Sequence, residues 1–120
     1  MDALNTETLD AYRNALEHVL TEWADFLNTG LRPDPGAVSE VVFDRQHDRY
    51  LLVEAGWERG YRIHGALLHV DIIDGKLWIQ HDGTEEGIAP ELVTAGVPKE
   101  CIVLAFRSPD MREFSEYAVA

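Results

Sequence analysis

His69 and Asp71 lie two apart in an alternating apolar run. Both side chains therefore leave the same face of a β-strand, where an imidazole beside a carboxylate supplies the parts of an acid–base or metal site. Asp74-Gly75 reads as a type I′ turn that folds the next run back. A two-residue loop sets Ile73 opposite Lys76, Ile72 opposite Leu77, Asp71 opposite Trp78, Val70 opposite Ile79 and His69 opposite Gln80. His69, Asp71, Lys76, Trp78 and Gln80 thus form one candidate interaction face, with Ile73 among them. Two ligands do not make a metal site. His64, His47 and His81 are expected on the opposite strand face, in a turn and at a strand end, with no ligand spacing to join them. The plainer reading of the His69/Asp71 pair is a local hydrogen bond on a solvated or interfacial face. A ligand-binding or hydrolytic module on that face is the alternative. Trp78, flanked by charged and amide groups, has the character of an interface residue, with a covering helix of the same chain as the competing explanation.

Elsewhere the chemical signals are thin. Cys101, the single cysteine, precedes the apolar run Ile102-Val103-Leu104 and reads as a core thiol, and one cysteine excludes an internal disulfide framework. No Walker loop, dinucleotide glycine fingerprint, nucleophile elbow or zinc spacing is present, so no cofactor and no catalytic residue is assigned. Gly56 and Gly60 read as turn glycines. Arg49, Arg59 and Arg62 are the nearest thing to a basic patch, but Asp48 and Glu54 lie close to Arg49 in sequence.

The elements that position these residues follow from periodicity. Leu9, Tyr12, Leu16, Val19, Leu20, Trp23, Phe26 and Leu27 recur at helical spacing over residues 6–27, with Asn5 or Thr6 as cap and Glu7 at the positive end of the dipole. This stripe is read as the face that covers a sheet, with a partner-binding stripe at Trp23 and Phe26 as the alternative. Gly30, Pro33, Pro35 and Gly36 make residues 28–36 a surface connection. Strands are expected over 38–44, 50–57 and 61–73, turning at 45–48 and 58–60, with a bulge at Gly65. Leu68, Val70, Ile72, Leu77 and Ile79 point to the core. After the Asp74-Gly75 hairpin, Thr84 is a candidate helix cap, Glu85 and Glu86 occupy the first turn, and Gly96 ends the helix. Pro90 inside it implies a kink or a later start. Residues 102–106 read as a strand covered on both sides, central in the sheet, and residues 108–120 as a docking tail. The expected fold is α+β: an N-terminal helix and a second helix on a mainly antiparallel sheet, in one domain over 1–120.

Twenty-two acidic against ten basic residues give a net charge of −12, which disfavours direct contact with nucleic acid and anionic membranes. The same charge suits a basic partner, and Glu85 and Glu86 are the candidate acidic contacts. Without a membrane span or a signal-peptide pattern, the expected location is the cytoplasm.

Five stretches occur in an order that carries a family resemblance. They are Tyr50-Leu-Leu-Val-Glu-Ala-Gly-Trp57, His69-Val-Asp-Ile-Ile-Asp-Gly-Lys-Leu-Trp-Ile-Gln80, Gly96-Val-Pro-Lys99, Ile102-Val-Leu104 and Tyr117-Ala-Val-Ala120. Together they resemble the XisI family, the fdxN-element excision controlling factors, over residues 10–120, with a departure at Pro90. The resemblance implies a small non-enzymatic α+β regulator tied to programmed DNA excision or a related paired-gene system, without catalytic residues to carry over. It also implies an XisH-like, nuclease-fold companion. A homo-oligomer, built through Trp78 and the tail, is a further expectation.

Overall fold

The computed structural model describes residues 6–29 and 36–120; the expected cap at Asn5 and the middle of the Pro-rich connection lie outside them. Helix α1 spans Thr6–Leu27 and buries Tyr12, Leu16, Val19, Leu20 and Ala24. Trp23 and Leu27 are half-buried against the same core. Phe26 departs from the expectation: it sits at the edge of the apolar stripe and is 53% exposed.

Five strands follow in the order β1-β2-β3-β4-β5. Strands β1 (Val38–Asp44), β2 (Arg49–Glu58), β3 (Tyr61–Ile73) and β4 (Lys76–Asp82) form an antiparallel meander. The two tight hairpins use residues of positive φ, Arg59-Gly60 at 52° and 81° and Asp74-Gly75 at 50° and 77°, the type I′ geometry that matches strand twist. The inner face carries Tyr50, Leu52, Leu68, Val70, Leu77 and Ile79, all fully buried beneath the helices. Burying an aliphatic side chain of this size contributes about 1.5–3 kcal/mol, so this face dominates the stability of the fold.

Two bulges shift the expected register. Leu52 pairs with Leu68 but Val53 with Ala66, so the extra residue is Leu67 and not Gly65. The Leu67 carbonyl accepts the Gly83 N–H at 2.8 Å, which gives the irregularity a hydrogen bond of its own. On β4, His69 pairs with His81 and Val70 with Ile79, leaving Gln80 as the inserted residue. Gly56 is not a turn glycine. Its φ is 149°, and a Cβ there would lie 1.9 Å from the Gly36 carbonyl oxygen, so the close approach of residues 36–37 requires glycine.

Helix α2 spans Ala89–Thr94, a later start than a Thr84 cap implies. Gly87, at φ 84°, interrupts a helix begun at Thr84. Pro90 falls in the first turn, where its missing N–H costs nothing. The end is as read: Gly96 takes φ 113°, its N–H reaches the Val93 carbonyl, and that of Val97 reaches Leu92, a Schellman closure. After a 3₁₀ turn at Lys99–Cys101, strand β5 (Ile102–Leu104) pairs in parallel with β4 at the sheet edge, shorter and less central than expected. It is nonetheless buried on both sides. Ile102 and Leu104 face the core, and the outward Val103 is covered by the tail, which bridges to it through Ala118. A short helix α3 (Pro109–Arg112) lies within this tail. No helix among the described residues is long and apolar enough to cross a membrane.

Candidate functional site

The outer face of the sheet assembles the residues singled out for chemistry. The His69 imidazole Nε2 lies 2.9 Å from Asp71 Oδ1, and the Gln80 amide donates to Asp71 Oδ2 at 3.3 Å. The bulge at Gln80, rather than direct pairing opposite His69, brings the amide to that carboxylate. Trp78 pairs with Asp71 as expected, but its ring is no free patch. The Arg112 guanidinium lies 5.5 Å from the ring centroid and donates to the carbonyls of Leu104, Ala105, Arg107 and Val119. The Lys76 ammonium donates to the Ala120 backbone oxygen. Trp78 and Lys76 therefore hold the tail against the sheet, and the cover over Trp78 is this tail rather than a regular helix.

The bulges also correct the placement of the histidines. Leu51 pairs with His69 and Ala55 with His64, so His64 shares the outer face with His69, and His81 stands directly across from His69. His47 lies in the β1–β2 turn and bonds to Asp44 at 2.8 Å. Among the described residues, no three His, Cys, Asp or Glu side chains converge as a metal group would require. Cys101 is half-buried rather than fully buried, with its sulfur 3.8 Å from the Tyr12 hydroxyl. Burial and this neighbour raise the Tyr12 phenol above its ordinary value. The three arginines do not form one patch. Arg49 opens β2 and pairs opposite Asp71, whereas Arg59 and Arg62 sit at the far tip of the β2–β3 hairpin, roughly 30 Å away at ~3.3 Å per residue. Arg62 lies over the Trp57 ring at 5.6 Å.

Glu85 and Glu86 are exposed, but in a loop and not a helix. Asp82 organises that loop. Its Oδ1 accepts from the Thr84 N–H and hydroxyl and its Oδ2 from the Ile88 N–H at 2.7 Å, while the Thr84 Oγ1 accepts from the Gly87 N–H. The two glutamates line a cleft of about 280 Å³ shared with Phe106, Arg107 and Tyr117.

A second concavity takes in Trp23 and Phe26, the pair that the sequence offered as an alternative partner-binding stripe. Glu22, Trp23, Phe26 and Glu91 line a groove of about 390 Å³ between α1 and α2. The Trp23 indole N–H is shared between both Glu91 oxygens at 3.0 and 3.1 Å. Phe26 meets Trp23 edge-on, with centroids 5.9 Å apart. Glu22 bonds to His18 one turn back, at 3.0 Å. Exposed aromatic faces between carboxylates suit a cationic side chain, through cation–π attraction and charge-assisted hydrogen bonds. The sequence signal was the pair Trp23 and Phe26 on the helix stripe; Glu91, 68 positions from Trp23, gave none.

Comparison with known proteins agrees with this architecture. The XisI protein family matches residues 6–119. The crystal structure of a XisI-like protein from Anabaena variabilis superposes with a TM-score of 0.82 at 33% identity, over 93% of this chain and 99% of that one. The fdxN element excision controlling factor XisI of the same organism gives 0.79 at 32% identity, over 94% and 99%. No curated protein matches the chain. A sequence profile matched nearly end to end, and two solved structures repeating the same helix-on-sheet arrangement, lead to one conclusion: the chain belongs to the XisI family.

Proposed function

We propose that this chain is a non-enzymatic controlling subunit that acts by binding a protein partner. That partner is an XisH-like, nuclease-fold protein, in programmed DNA excision or a related paired-gene system. The observation that carries the reading is the α1–α2 groove, where the exposed Phe26 ring and the Glu22 and Glu91 carboxylates lie together. Helix α1 carries five acidic residues and one arginine, so the helix layer attracts a basic surface at long range and the groove then takes an arginine or lysine from it. A nuclease that holds DNA in a basic groove presents such side chains, and an acidic subunit seated there competes with the phosphates. The chain then works as an inhibitor.

Coexpression with an XisH-like protein, copurification, and DNA cleavage with and without this chain test the proposal. Retention of the partner by the native chain, and its loss on combined Glu22→Lys and Glu91→Lys substitution, is the expected result. Absence of a complex at micromolar concentration refutes it. Charge reversal at Glu85 and Glu86 establishes whether the contact extends to the neighbouring loop. The hydrogen-bonded His69, Asp71 and Gln80 cluster favours one second reading, a small-ligand or metal-binding module. Stoichiometric metal in the purified protein that disappears on His69→Ala would favour it.

A further inference from the structure

We infer that the outer face of β1, β2 and β3 is an interface through which two copies of this chain pack sheet to sheet. Across this face run Val38, Val42, Leu51, Val53, Ala55 and Trp57, which the strand register places on one side. Val38, Val42 and Trp57 are 48%, 46% and 56% exposed. Among the described residues no helix covers them: α1 and α2 lie on the inner face, and the tail packs on β4 and β5. A contiguous apolar sheet face of this kind marks an interaction surface.

Charge selects the occupant. The outer face of these three strands carries Glu40, Asp44 and Asp71 against Arg49 and Arg62, three acidic residues against two basic, so nearly all of the net charge of −12 resides elsewhere. Two copies repel each other wherever their acidic surfaces approach. On this face they meet with little of that penalty, whereas a strongly basic partner is drawn to the helix side. Size suits a reversible dimer. Ten residues of β2 at ~3.3 Å each, across three strands ~4.8 Å apart, span roughly 480 Å² in projection. The corrugated accessible area is larger, and falls toward the lower end of the range for specific complexes, below the ~800 Å² per partner of a standard one.

The interface is isologous, with the two β2–β3 hairpins running in opposite directions. Trp57 near the hairpin tip of one copy then lies on Val42 and Leu51 of the other. A rigid aromatic anchor in an aliphatic seat is the usual energetic centre of an interface.

Sedimentation velocity of the full chain from about 5 to 200 µM tests this, with Val42→Glu and Trp57→Glu as variants. Both positions are exposed, so circular dichroism should match the native chain and each variant should unfold cooperatively, with a thermal midpoint that, unlike that of the native dimer, does not depend on concentration. Native protein is expected at twice the 13.5 kDa chain mass, and each variant near the single-chain mass, with association weakened at least ~30-fold. Three results overturn the inference: a native monomer across the range, a dimer that survives in both variants, or a face protected only when a different protein is bound. The groove variants Glu22→Lys and Glu91→Lys lie on the opposite side of the sheet, so a failure here is distinguishable from a failure of the partner-binding proposal.

Discussion

Replacing Asp48 by Asn should destabilise the fold by an amount that depends on pH in a defined sense. Asp48 ends the β1–β2 turn at φ 53° and ties it to the helix layer. Its carboxylate takes a bidentate pair from Arg13, Nε at 2.8 Å and Nη2 at 3.0 Å. It also accepts the hydroxyl of the fully buried Tyr50 at 2.9 Å. The Asp48 and Arg13 side chains are 17% and 18% exposed, so solvent screens the pair only in part. The Arg13 guanidinium holds the Asp48 carboxyl below its ordinary value. Burial and the neighbouring carboxylate push the Tyr50 phenol well above its own.

Asparagine keeps the shape and tolerates the left-handed backbone, so the substitution removes the charge and turns one of the two oxygens that accept from Arg13 into a donor. A charge-assisted hydrogen bond contributes about 1.5–3 kcal/mol; with one acceptor oxygen retained, about 2 kcal/mol should be lost at neutral pH. At about 3–5 °C per kcal/mol for a chain of this length, the thermal midpoint falls by about 6–10 °C. The folded-state pKa is lowered, so the unfolded chain binds the proton first as pH falls. The stabilisation is therefore complete above the ordinary carboxylate value of about 3.9 and disappears as pH falls through the folded value. Urea unfolding of both proteins at pH 7 and pH 3 measures this. A difference that is absent at pH 7, or equally large at pH 3, would refute the argument.

Two further perturbations probe the corrected parts of the fold. Gly56→Ala should cost at least ~2 kcal/mol, because its methyl group meets the Gly36 carbonyl and its backbone is strained for any L-residue; an unchanged urea midpoint would show that residues 36–37 yield freely. Arg112→Ala removes a donor shared among four carbonyls. It should raise amide exchange over residues 105–120 and shift Trp78 emission to the red while α1 exchange stays as in the native chain; unaltered exchange in the tail would mean that other contacts hold it.

The limits of sequence reading are visible in particular residues. The ends of α1, the Asp74-Gly75 turn and the inward set Leu68, Val70, Ile72, Leu77 and Ile79 were legible, because each follows from local period or turn chemistry. The bulges at Leu67 and Gln80 were not. An inserted residue carries no necessary signature of its own, and Leu67 is held there by Gly83, just past the end of β4. That one insertion moves His64 to the outer face, since a single-residue slip in a strand exchanges its faces. Pro90 did signal a late helix start, but the loop that replaces the missing turn is built by Asp82, six residues ahead of Ile88. Of the α1–α2 groove only the Trp23 and Phe26 wall was legible, because Trp23 and Glu91 meet only after the crossover from β4 to β5 has folded α2 beside α1.

The distribution of charge connects the two proposed surfaces. A sheet-to-sheet dimer buries a nearly neutral face and leaves both helix layers, with their grooves and most of the negative charge, pointing outward in opposite directions. Each groove then offers the same site, so a dimer binds two partner molecules independently, or one dimeric partner with an effective concentration set by the spacing of the grooves. In the second case, Trp57→Glu leaves each groove intact yet weakens retention of the partner, because bivalence is lost. In the first case it changes the stoichiometry of the complex and not its affinity per site. Titrating native and Trp57→Glu protein against the same partner, with mass measured alongside affinity, separates the two.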